Sequence, residues 1–574
     1  MTATPELRVV TPSRWLEPVV VDAASVARLS ERLTIPPLVA RLLVARGYVD
    51  EEDAKRFLRP RLEHLHDPRA MTGMDVAVSR LGEAIRRRET ILVHGDYDVD
   101  GMCSSTILVR TIRSLGGVAV PFIPHRLTDG YDLGDAGVEA AVANNARVVV
   151  TCDCGTSAHR AVGALRARGI DVIITDHHLP SSDPPECLAV LNPRAPGNAY
   201  PDKDLCAAGV VFKLATALLQ AHGQSVNIAM HMLDLVALAT VADVAPLRGE
   251  NRVLVRYGLR LIRETSNVGL RALLMSSGLE EREITAGRIG FILAPRLNAV
   301  GRLDRALRGV ELLMSDDSSH ALGLAREFEE LNRARQELDR EILVEARALV
   351  ERQVAEGRFA LVLASERWHP GVIGIVASRI VEEFNRPTMM VALQDGVGKG
   401  SGRSISAFDL HGGLTECQDL LLRFGGHRAA AGITIDPDRL DAFAERFDRV
   451  AKSRLSPDDL VPEVRVDLEL GLNDVTFDLE KLLRHFEPYG IGNPTPTLTL
   501  RGARLAQAPK VLADRGVRLR FDAPGGGLTG IWWGNPERAA DLRPGSVCDI
   551  AFRLELDTYF NDPRLSARIV DLRR

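Results

Sequence analysis

The 574-residue chain predicts a multidomain α/β protein: a parallel, doubly wound domain joined by a long helix to a smaller α/β domain, with a small β-barrel or sandwich at the C-terminus. Three observations predict it. Apolar, β-branched runs at 91–93, 148–150 and 172–174 alternate with helix-length segments, the pattern of buried parallel strands. From 318 to 357 there is no proline, and apolar residues recur at three- and four-residue spacing, the mark of one amphipathic helix. Beyond about residue 455, short apolar segments are punctuated by Gly, Pro and Asn. At about 150 residues per domain the length allows three or four domains.

Residues 1 to about 85 read as a helical preface, with helix-spaced apolar residues at 26–29, 37–43 and 54–58. From residue 89 the reading is strand 91–93, helix 101–115, strand 118–123, helix 135–145, strand 147–151, helix 157–168 and strand 171–175. That alternation predicts a parallel sheet wound on both faces, within a domain spanning about 86–317. Helical pieces at 210–219 and 228–242 complete it. The helix at 318–357 either bridges two lobes or packs within one. A second α/β unit, 358–454, holds strand 359–363, helix 372–384, strand 388–393 and two glycine-rich stretches, 396–403 and 424–428. The last segment, 455–574, contains short strands such as 497–500, 517–521 and 548–554.

Apolar content of 45% and charged content of 26% are ordinary for a globular protein. No run nears the ~18 apolar residues of a membrane span. Residues 1–15 carry Pro, Glu and Arg but no apolar signal core, so a cytoplasmic protein is expected. Seven cysteines, odd in number and scattered, argue against a disulfide framework. A net charge of −5 excludes a uniformly basic nucleic-acid coat, so polyanion binding would be local. Residues 282–308 hold six arginines against two acids, and 501–574 hold 13 basic against 9 acidic residues; a solvated surface explains either balance as readily.

Four stretches carry chemistry: His94-Gly-Asp-Tyr-Asp-Val-Asp-Gly101, Thr151-Cys-Asp-Cys-Gly155, Thr175-Asp-His-His178 and Thr240-Val-Ala-Asp-Val-Ala-Pro246. The first three follow predicted strands, so their side chains would gather at the carboxyl edge of one sheet, where open α/β folds bind ligands. Carboxylates so gathered repel unless a cation neutralises them. His94, Asp98 and Asp100 stand in a strand-to-helix turn, with Gly95 and Gly101 easing the backbone. One acid could simply cap the helix. Four polar residues in seven exceed that need; Asp96 could itself be a ligand, but capping or support of a ligand is the role assigned to it. Cys152 and Cys154 flank Asp153 and raise a thiolate zinc site, but no second cysteine pair completes a tetrahedron, which leaves Asp153 as the ligand. His177 and His178 are adjacent and diverge, one toward metal and one toward substrate. Asp243 follows a helical run and needs the fold to bring it in. Mixed carboxylate and imidazole donors suit Mn²⁺, or Mg²⁺ at the harder limit. Five or six ligands suffice for two ions roughly 3.5–4 Å apart, which points to phosphoester hydrolysis.

Together, His94-x-x-x-Asp98-x-Asp100, Asp153, Asp176-His-His178 and Asp243 resemble the DHH phosphoesterase superfamily, and Gly425-Gly-His427 with the glycine-rich stretch before it resembles the DHHA1 substrate domain. Length, long helix and β-rich C-terminus resemble, over about residues 20–574, the RecJ family of bacterial single-strand-specific 5′→3′ exonucleases. The resemblance implies that 86–317 is a DHH domain, 358–454 a DHHA1 domain and 455–574 an OB-fold. It implies Asp98, Asp100, Asp153, His177 and Asp243 as metal ligands with His94 as a sixth, and His178, Asp153 and Arg302 as catalytic. The stretch 294–302 resembles the family's phosphate-proximal loop, with Val300 where a smaller residue is expected. Arg126, Ser401 and Arg403 resemble residues that hold a terminal 5′-phosphate; Arg296, Asn298, Arg302, His369 and His427 are the further DNA contacts. A surface ion pair is the plain alternative for each arginine.

The implied protein is a two-lobed, monomeric nuclease, with two Mn²⁺ or Mg²⁺ ions and single-stranded DNA held between its lobes. It releases 5′-mononucleotides in DNA repair and recombination, with a single-strand-binding protein and a helicase as partners. The OB-fold tracks the strand by charge and stacking, with Trp532, Trp533 and Tyr559 as candidate platforms. Two rivals stand beside it. One is a DHH hydrolase of short oligoribonucleotides, cyclic dinucleotides or pyrophosphate. The other is an inactive DHH scaffold that binds replication proteins.

Overall fold

The apolar runs beyond residue 89 do fold as strands. The computed structural model describes residues 13–126, 128–130, 132–180, 183–512, 516–522, 527–533, 537–557 and 563–574. The chain divides into two units, 21–332 with 481–495, and 1–20 with 333–480 and 496–574. Strand β1 (Arg14–Leu16) precedes helices α1 (Ala23–Leu33), α2 (Pro37–Ala45), α3 (Glu51–Leu58) and α4 (Met74–Arg87). Residues 14–16, read within the helical preface, are strand because they pair in parallel with 463–465, a partner too distant in sequence for local periodicity to reveal.

Strands β2 (Thr90–Gly95), β3 (Val118–Phe122), β4 (Val148–Cys152), β5 (Asp171–Thr175) and β6 (Ala189–Leu191) form a parallel sheet in the order β3-β2-β4-β5-β6. Helices α5 (Val99–Ser114), α6 (Asp135–Ala143), α7 (His159–Arg166) and α8 (Ala207–Ala221) accompany it. Ile91, Val93, Val148, Val150 and Ile173 enter one core with α4, α5 and α8, whereas Leu92, Val149, Val172 and Ile174 enter a second with α6 and α7. Strand side chains alternate between faces, so a sheet covered twice must be apolar at every position. That is why these strands read as continuous apolar runs.

The segment read as one helix at 228–242 is two, α9 (Asn227–Met230) and α10 (Leu233–Ala242), followed by α11 (Gly249–Arg263) and α12 (Val268–Ser276). The short α13 (Ala286–Arg288) and a π-helical turn, Ile289–Leu293, lead into α14 (Ala294–Leu303). Residues 294–302, expected as a loop, are therefore helical. Pro295 sits in the first turn, where its missing N–H costs nothing, and Leu297 and Val300 are buried. After α15 (Leu307–Met314), the 38-residue α16 (Ser318–Ala355) runs from one unit into the other.

In the other unit, β7 (Leu361–Ser365), α17 (Ile373–Phe384), β8 (Thr388–Gln394), β9 (Val397–Arg403), β10 (Leu421–Gly426) and β11 (Ala430–Ile435) give a mixed sheet ordered β10-β11-β9-β8-β7. The glycine-rich stretch is strand β9. A Cβ on Gly398, Gly400 or Gly402 would come within 2.9 Å of Val391, 2.4 Å of Ile433 or 2.6 Å of Met389. One face of β9 is packed too closely for any side chain.

Strand β12 (Glu463–Arg465) pairs with β1, and Trp15 of β1 donates to Asp571 at 2.8 Å. Strands β13 (Leu468–Leu470), β14 (Leu498–Arg504), β15 (Lys510–Val511), β16 (Gly516–Phe521), β17 (Leu528–Trp533), β18 (Val547–Asp557) and β19 (Arg564–Arg573) follow. Five of them run β14-β18-β19-β17-β16. Asp522 N–H to the Arg504 carbonyl (2.9 Å) and Ala506 N–H to the Arg520 carbonyl (2.7 Å) return β16 to β14 and close the barrel. A closed five-stranded barrel of this kind is an OB-fold. Among the described residues no helix is long and apolar enough to cross a membrane.

Candidate metal centre

The turn after β2 is built by its own acids. Asp98 caps α5, accepting the N–H groups of Asp100 (2.9 Å) and Gly101 (3.1 Å). Gly101 lies on Asp96, where a Cβ would come within 2.4 Å of the Asp96 carbonyl oxygen. From α14, Asn298 accepts Val99 N–H at 3.2 Å, and Gly301 seats against the Tyr97 carbonyl. Helix α14 therefore props the turn rather than forming a loop beside it. Asp100 accepts Ala207 N–H and Ala208 N–H at 2.7 Å each, at the start of α8.

Asp153 leaves β4 with φ +69°, a left-handed conformation costing a non-glycine residue of order 1 kcal/mol. Its N–H reaches the Thr175 carbonyl at 3.0 Å, and Asp132 steadies the loop by accepting Gly155 N–H at 2.7 Å. After β5, Asp176 accepts the N–H groups of His177 (2.7 Å), His178 (3.1 Å) and Thr156 (3.2 Å). Asp243 terminates α10, followed by Val244 at φ +61°.

These exits converge. His177 Nε2 lies 3.1 Å from Asp153 Oδ1, 3.7 Å from Asp243 Oδ2 and 3.8 Å from Asp100 Oδ2. His178 Nδ1 lies 2.8 Å from Asp176 Oδ1 and 3.8 Å from Asp153 Oδ1. Three overlapping sets bring one atom from each residue within 4.8 Å of the others: Asp96, Asp98 and Asp153; Asp100, His177 and Asp243; Asp153, His177 and His178. Asp153 and His177 each belong to two of them.

The electrostatics call for a cation. Burial, then the neighbouring carboxylates, push Asp96, Asp153 and Asp243 well above the usual carboxylate range. Burial and Asp98 raise Asp100 to about 7. Buried oxygens with two imidazoles form a donor set suited to Mn²⁺ or Mg²⁺. Burial pushes the Cys152 thiol up to about 12 and Cys154 well above its ordinary value, and neither sulfur belongs to the three donor sets. Burial works against the charge of His178, but the Asp176 hydrogen bond together with the charges of Asp176, Asp243 and Asp96 outweighs it and raises the imidazole to about 9. Burial likewise opposes the Asp176 charge, yet His178 and Thr156 hold that carboxylate well below its usual range.

Other expected residues divide. His94 is buried outside all three sets, its Nδ1 3.5 Å from Cys154 Sγ. Burial lowers it to about 4, and its Nε2 has no hydrogen-bond partner among the described residues. Capping falls to Asp98, because its side chain faces the first amides of α5. Asp96, expected to cap, instead presents a buried oxygen without a hydrogen-bond partner among the described residues. Arg126 stacks over Tyr97 at 4.6 Å, and the charge of Arg302 also reaches that phenol. Arg296 pairs with Glu329 of α16 at 2.5 Å.

In the other unit, Arg403 donates to Ser401 Oγ at 3.3 Å. Gly374 in the first turn of α17 faces both, since a Cβ there would lie 2.7 Å from Ser401 Oγ and 3.3 Å from Arg403. His369 accepts Gly371 N–H at 3.1 Å just before that helix. His427 is exposed in the β10–β11 connection. Trp532 is buried and Trp533 is 46% exposed; Tyr559 lies outside the described residues. Sequence reasoning missed Asp132 and the anchoring role of Asp176. Asp176 is signalled by its place before two histidines, whereas nothing local marks Asp132.

Family models match along the chain: the DHH family N-terminal domain at 90–240, the DHHA1 domain at 357–453 and the RecJ OB domain at 466–571. The single-stranded-DNA-specific exonuclease RecJ of Bacillus subtilis is 36% identical over 553 residues, covering 96% of this chain and 70% of that protein. The crystal structure of RecJ in complex with Mn²⁺ from Thermus thermophilus superposes with TM-score 0.84 at 34% identity, covering 99% of this chain and 80% of that one. The Mg²⁺ complex from the same organism gives TM-score 0.78 at 32% identity, covering 99% and 79%.

Proposed function

The chain belongs to the RecJ family of single-stranded-DNA-specific exonucleases, and we infer that it hydrolyses single-stranded DNA from the 5′ end, using Mn²⁺ or Mg²⁺ and releasing 5′-mononucleotides. The observation that carries this reading is the convergence on His177 of the buried Asp100 and Asp153 and the half-buried Asp243, three acids from separate elements. Asp98, Asp100, Asp153, His177 and Asp243, with His94 as a sixth ligand, would hold two such ions, which would supply charge neutralisation at the phosphoryl centre and an activated water for in-line displacement. Asp153, which belongs to two of the three donor sets, would be the shared ligand. Asp96 is a further candidate for the same set.

His178 does the proton work. Asp176 takes its Nδ1–H, which leaves Nε2 to hold a proton for the phosphoryl oxygen or the departing 3′ oxygen. Arg302 stabilises charge on the same phosphate. Arg126, Ser401, Arg403 and the amides opening α17 hold the terminal 5′-phosphate, since a guanidinium fork and a helix N-terminus both favour a dianion. With that end anchored, the P–O3′ bond one nucleotide in is broken. The product is a nucleoside 5′-monophosphate, and the shortened strand carries a fresh 5′-phosphate for the next cycle. Arg296, Asn298 through its amide N–H groups, His369 and His427 contact the strand, and the OB-fold tracks it with Trp533 as a stacking platform.

In this reading 1–85 is the helical preface, 86–317 the catalytic domain, 318–357 the connecting helix, 358–454 the substrate domain and 455–574 the tracking domain. The protein works as a cytoplasmic monomer in DNA repair and recombination, beside a single-strand-binding protein and a helicase.

A time course on 5′- and 3′-labelled single strands with either metal tests the reading. The 5′ label should appear at once as mononucleotide while the 3′-labelled strand shortens gradually. A 3′-first ladder overturns the polarity, and hydrolysis confined to dinucleotides favours the small-substrate DHH hydrolase.

A further inference from the structure

A segment from the C-terminal third of the chain braces the loop that presents Asp243. Residues 481–495 group with 21–332 rather than with their own sequence neighbours. The attachment is made by backbone. Arg252, 2% exposed, donates to the carbonyls of His485 (3.2 Å), Phe486 (2.9 Å), Glu487 (2.8 Å) and Pro488 (3.4 Å), and to Phe57 (2.8 Å). Arg46 donates to the Pro494 carbonyl at 2.7 Å and also reaches the Asn493 side chain. Asn493 stiffens the segment from within, donating to the carbonyls of Phe486 (2.7 Å) and Pro488 (2.9 Å).

The far edge of this strap lies on the residues that follow Asp243. Leu247 N–H reaches the Ile491 carbonyl at 2.7 Å, and Arg248 Nε reaches the Gly492 carbonyl at 2.6 Å. Contact is close enough to exclude side chains: a Cβ on Gly490 would meet Leu247 at 2.7 Å, and one on Gly492 would meet Pro246 at 3.0 Å. Only Val244, Ala245 and Pro246 separate Asp243 from Leu247, and Val244 is held at φ +61°. A loop so short and so twisted has little room to move unless its anchored end moves first.

We propose that residues 484–494 are a positioning element of the metal centre, fixing the loop from Asp243 to Arg248 and so setting affinity for the ion that Asp243 holds. The proposal rests on the reading of Asp243 as a metal ligand. Groups that orient ligands typically change metal affinity 10–100-fold when lost. The strap acts at one end of the site, so one ion should feel it and the other should not.

The test uses the full-length chain and Mn²⁺, with free Mn²⁺ followed by electron paramagnetic resonance in the absence of DNA. Arg46→Ala/Arg248→Ala loosens the strap and leaves the buried Arg252 in place. Its Mn²⁺ affinity should fall about tenfold at one of two sites, with turnover recovering at saturating Mn²⁺. Arg248→Met alone, which keeps the aliphatic stem, should shift the isotherm in the same direction and replaces the double variant if that does not fold. A folded variant with the wild-type isotherm overturns the proposal. Asp243→Asn, run in parallel, separates the two ideas: if it leaves Mn²⁺ binding intact the ligand reading fails, and if it alone weakens binding only the strap proposal fails.

Discussion

The two α/β sheets solve opposite electrostatic problems with opposite backbones. In the parallel sheet the strands are apolar on both faces; Asp98, Asp153 and His177 stand in the turns just beyond β2, β4 and β5, with Asp100 in the first turn of α5 and Asp243 at the end of α10. In the mixed sheet the candidate phosphate ligands, Ser401 and Arg403, lie inside β9 between glycines that the neighbouring strands press upon. The first arrangement gathers buried anions that need a cation. The second gathers a hydroxyl, a guanidinium and the opening of a helix, groups of the kind that bind an anion. A loop site can exchange ligands without disturbing the core, whereas a strand site is bound to packing on both sides.

The largest effect should follow from removing the ligand shared by two sets at the parallel sheet. Asp153→Asn should lower hydrolysis at least about a thousandfold, since in the proposed reading this one carboxylate holds both ions. In chelator the same variant should melt about 2–4 °C higher, because one of several repelling buried carboxylates has gone. Arg403→Ala should show no such gain. Near-normal turnover, or an unchanged metal-free melting temperature, would break the contrast between the two sheets.

Next in size is the split between the tandem histidines. His177→Ala should lose Mn²⁺ binding, because its Nε2 faces three carboxylates. His178→Ala should keep most of that binding and lose about 10²–10³-fold in kcat, as expected when a positioned acid–base group goes. Equal loss of Mn²⁺ affinity in both variants would make His178 a ligand rather than a proton carrier.

Much of the parallel sheet was legible because its physics is local. Apolar runs such as 91–93 and 148–150 mark a strand covered on both faces, and Asp98, Asp153 and His177 stand where such strands end. The mixed sheet was harder to read. Its glycines in β9 alternate at the strand period, yet glycine alone signals a loop until Met389, Val391 and Ile433 are seen pressing on it. Other features depend on distant partners: β1 has no register without 463–465, and residues 481–495 give no hint that Arg252 will seize four of their carbonyls. That Asp98 rather than Asp96 caps α5 lay beyond sequence as well, because which acid caps the helix depends on where Gly101 lets the turn close.

A smaller effect belongs to the mixed sheet. Arg403→Ala should cut the preference for 5′-phosphorylated over 5′-hydroxyl strands about tenfold, the worth of a charge-assisted hydrogen bond. Initial rates at matched ionic strength decide it, since phosphate contacts weaken steeply with salt. Equal loss on both substrates would make Arg403 a general backbone contact and leave the mixed sheet without a terminal-phosphate role.

The smallest effect should come from the barrel, where two adjacent tryptophans divide the labour. Successive residues of β17 point to opposite faces, so Trp532 is 1% exposed and Trp533 46% exposed. The Trp533 ring lies over Gly516 of the neighbouring strand, where a Cβ would come within 2.8 Å of it. A ring already supported on one side loses little freedom when a base stacks on the other, and such stacking is worth about 1–3 kcal/mol per base. Trp533→Ala should therefore weaken binding of long single strands about fivefold, at the low end of that range because the ring is only half exposed. Mn²⁺ binding and the rate on a short oligomer should hold, because neither uses the barrel. Trp532→Ala should instead cost about 3–5 kcal/mol of stability by leaving a cavity in the barrel core. If Trp533→Ala slows the short oligomer as much as the long strand, the barrel takes part in the chemistry, and the separation of reacting and tracking surfaces fails.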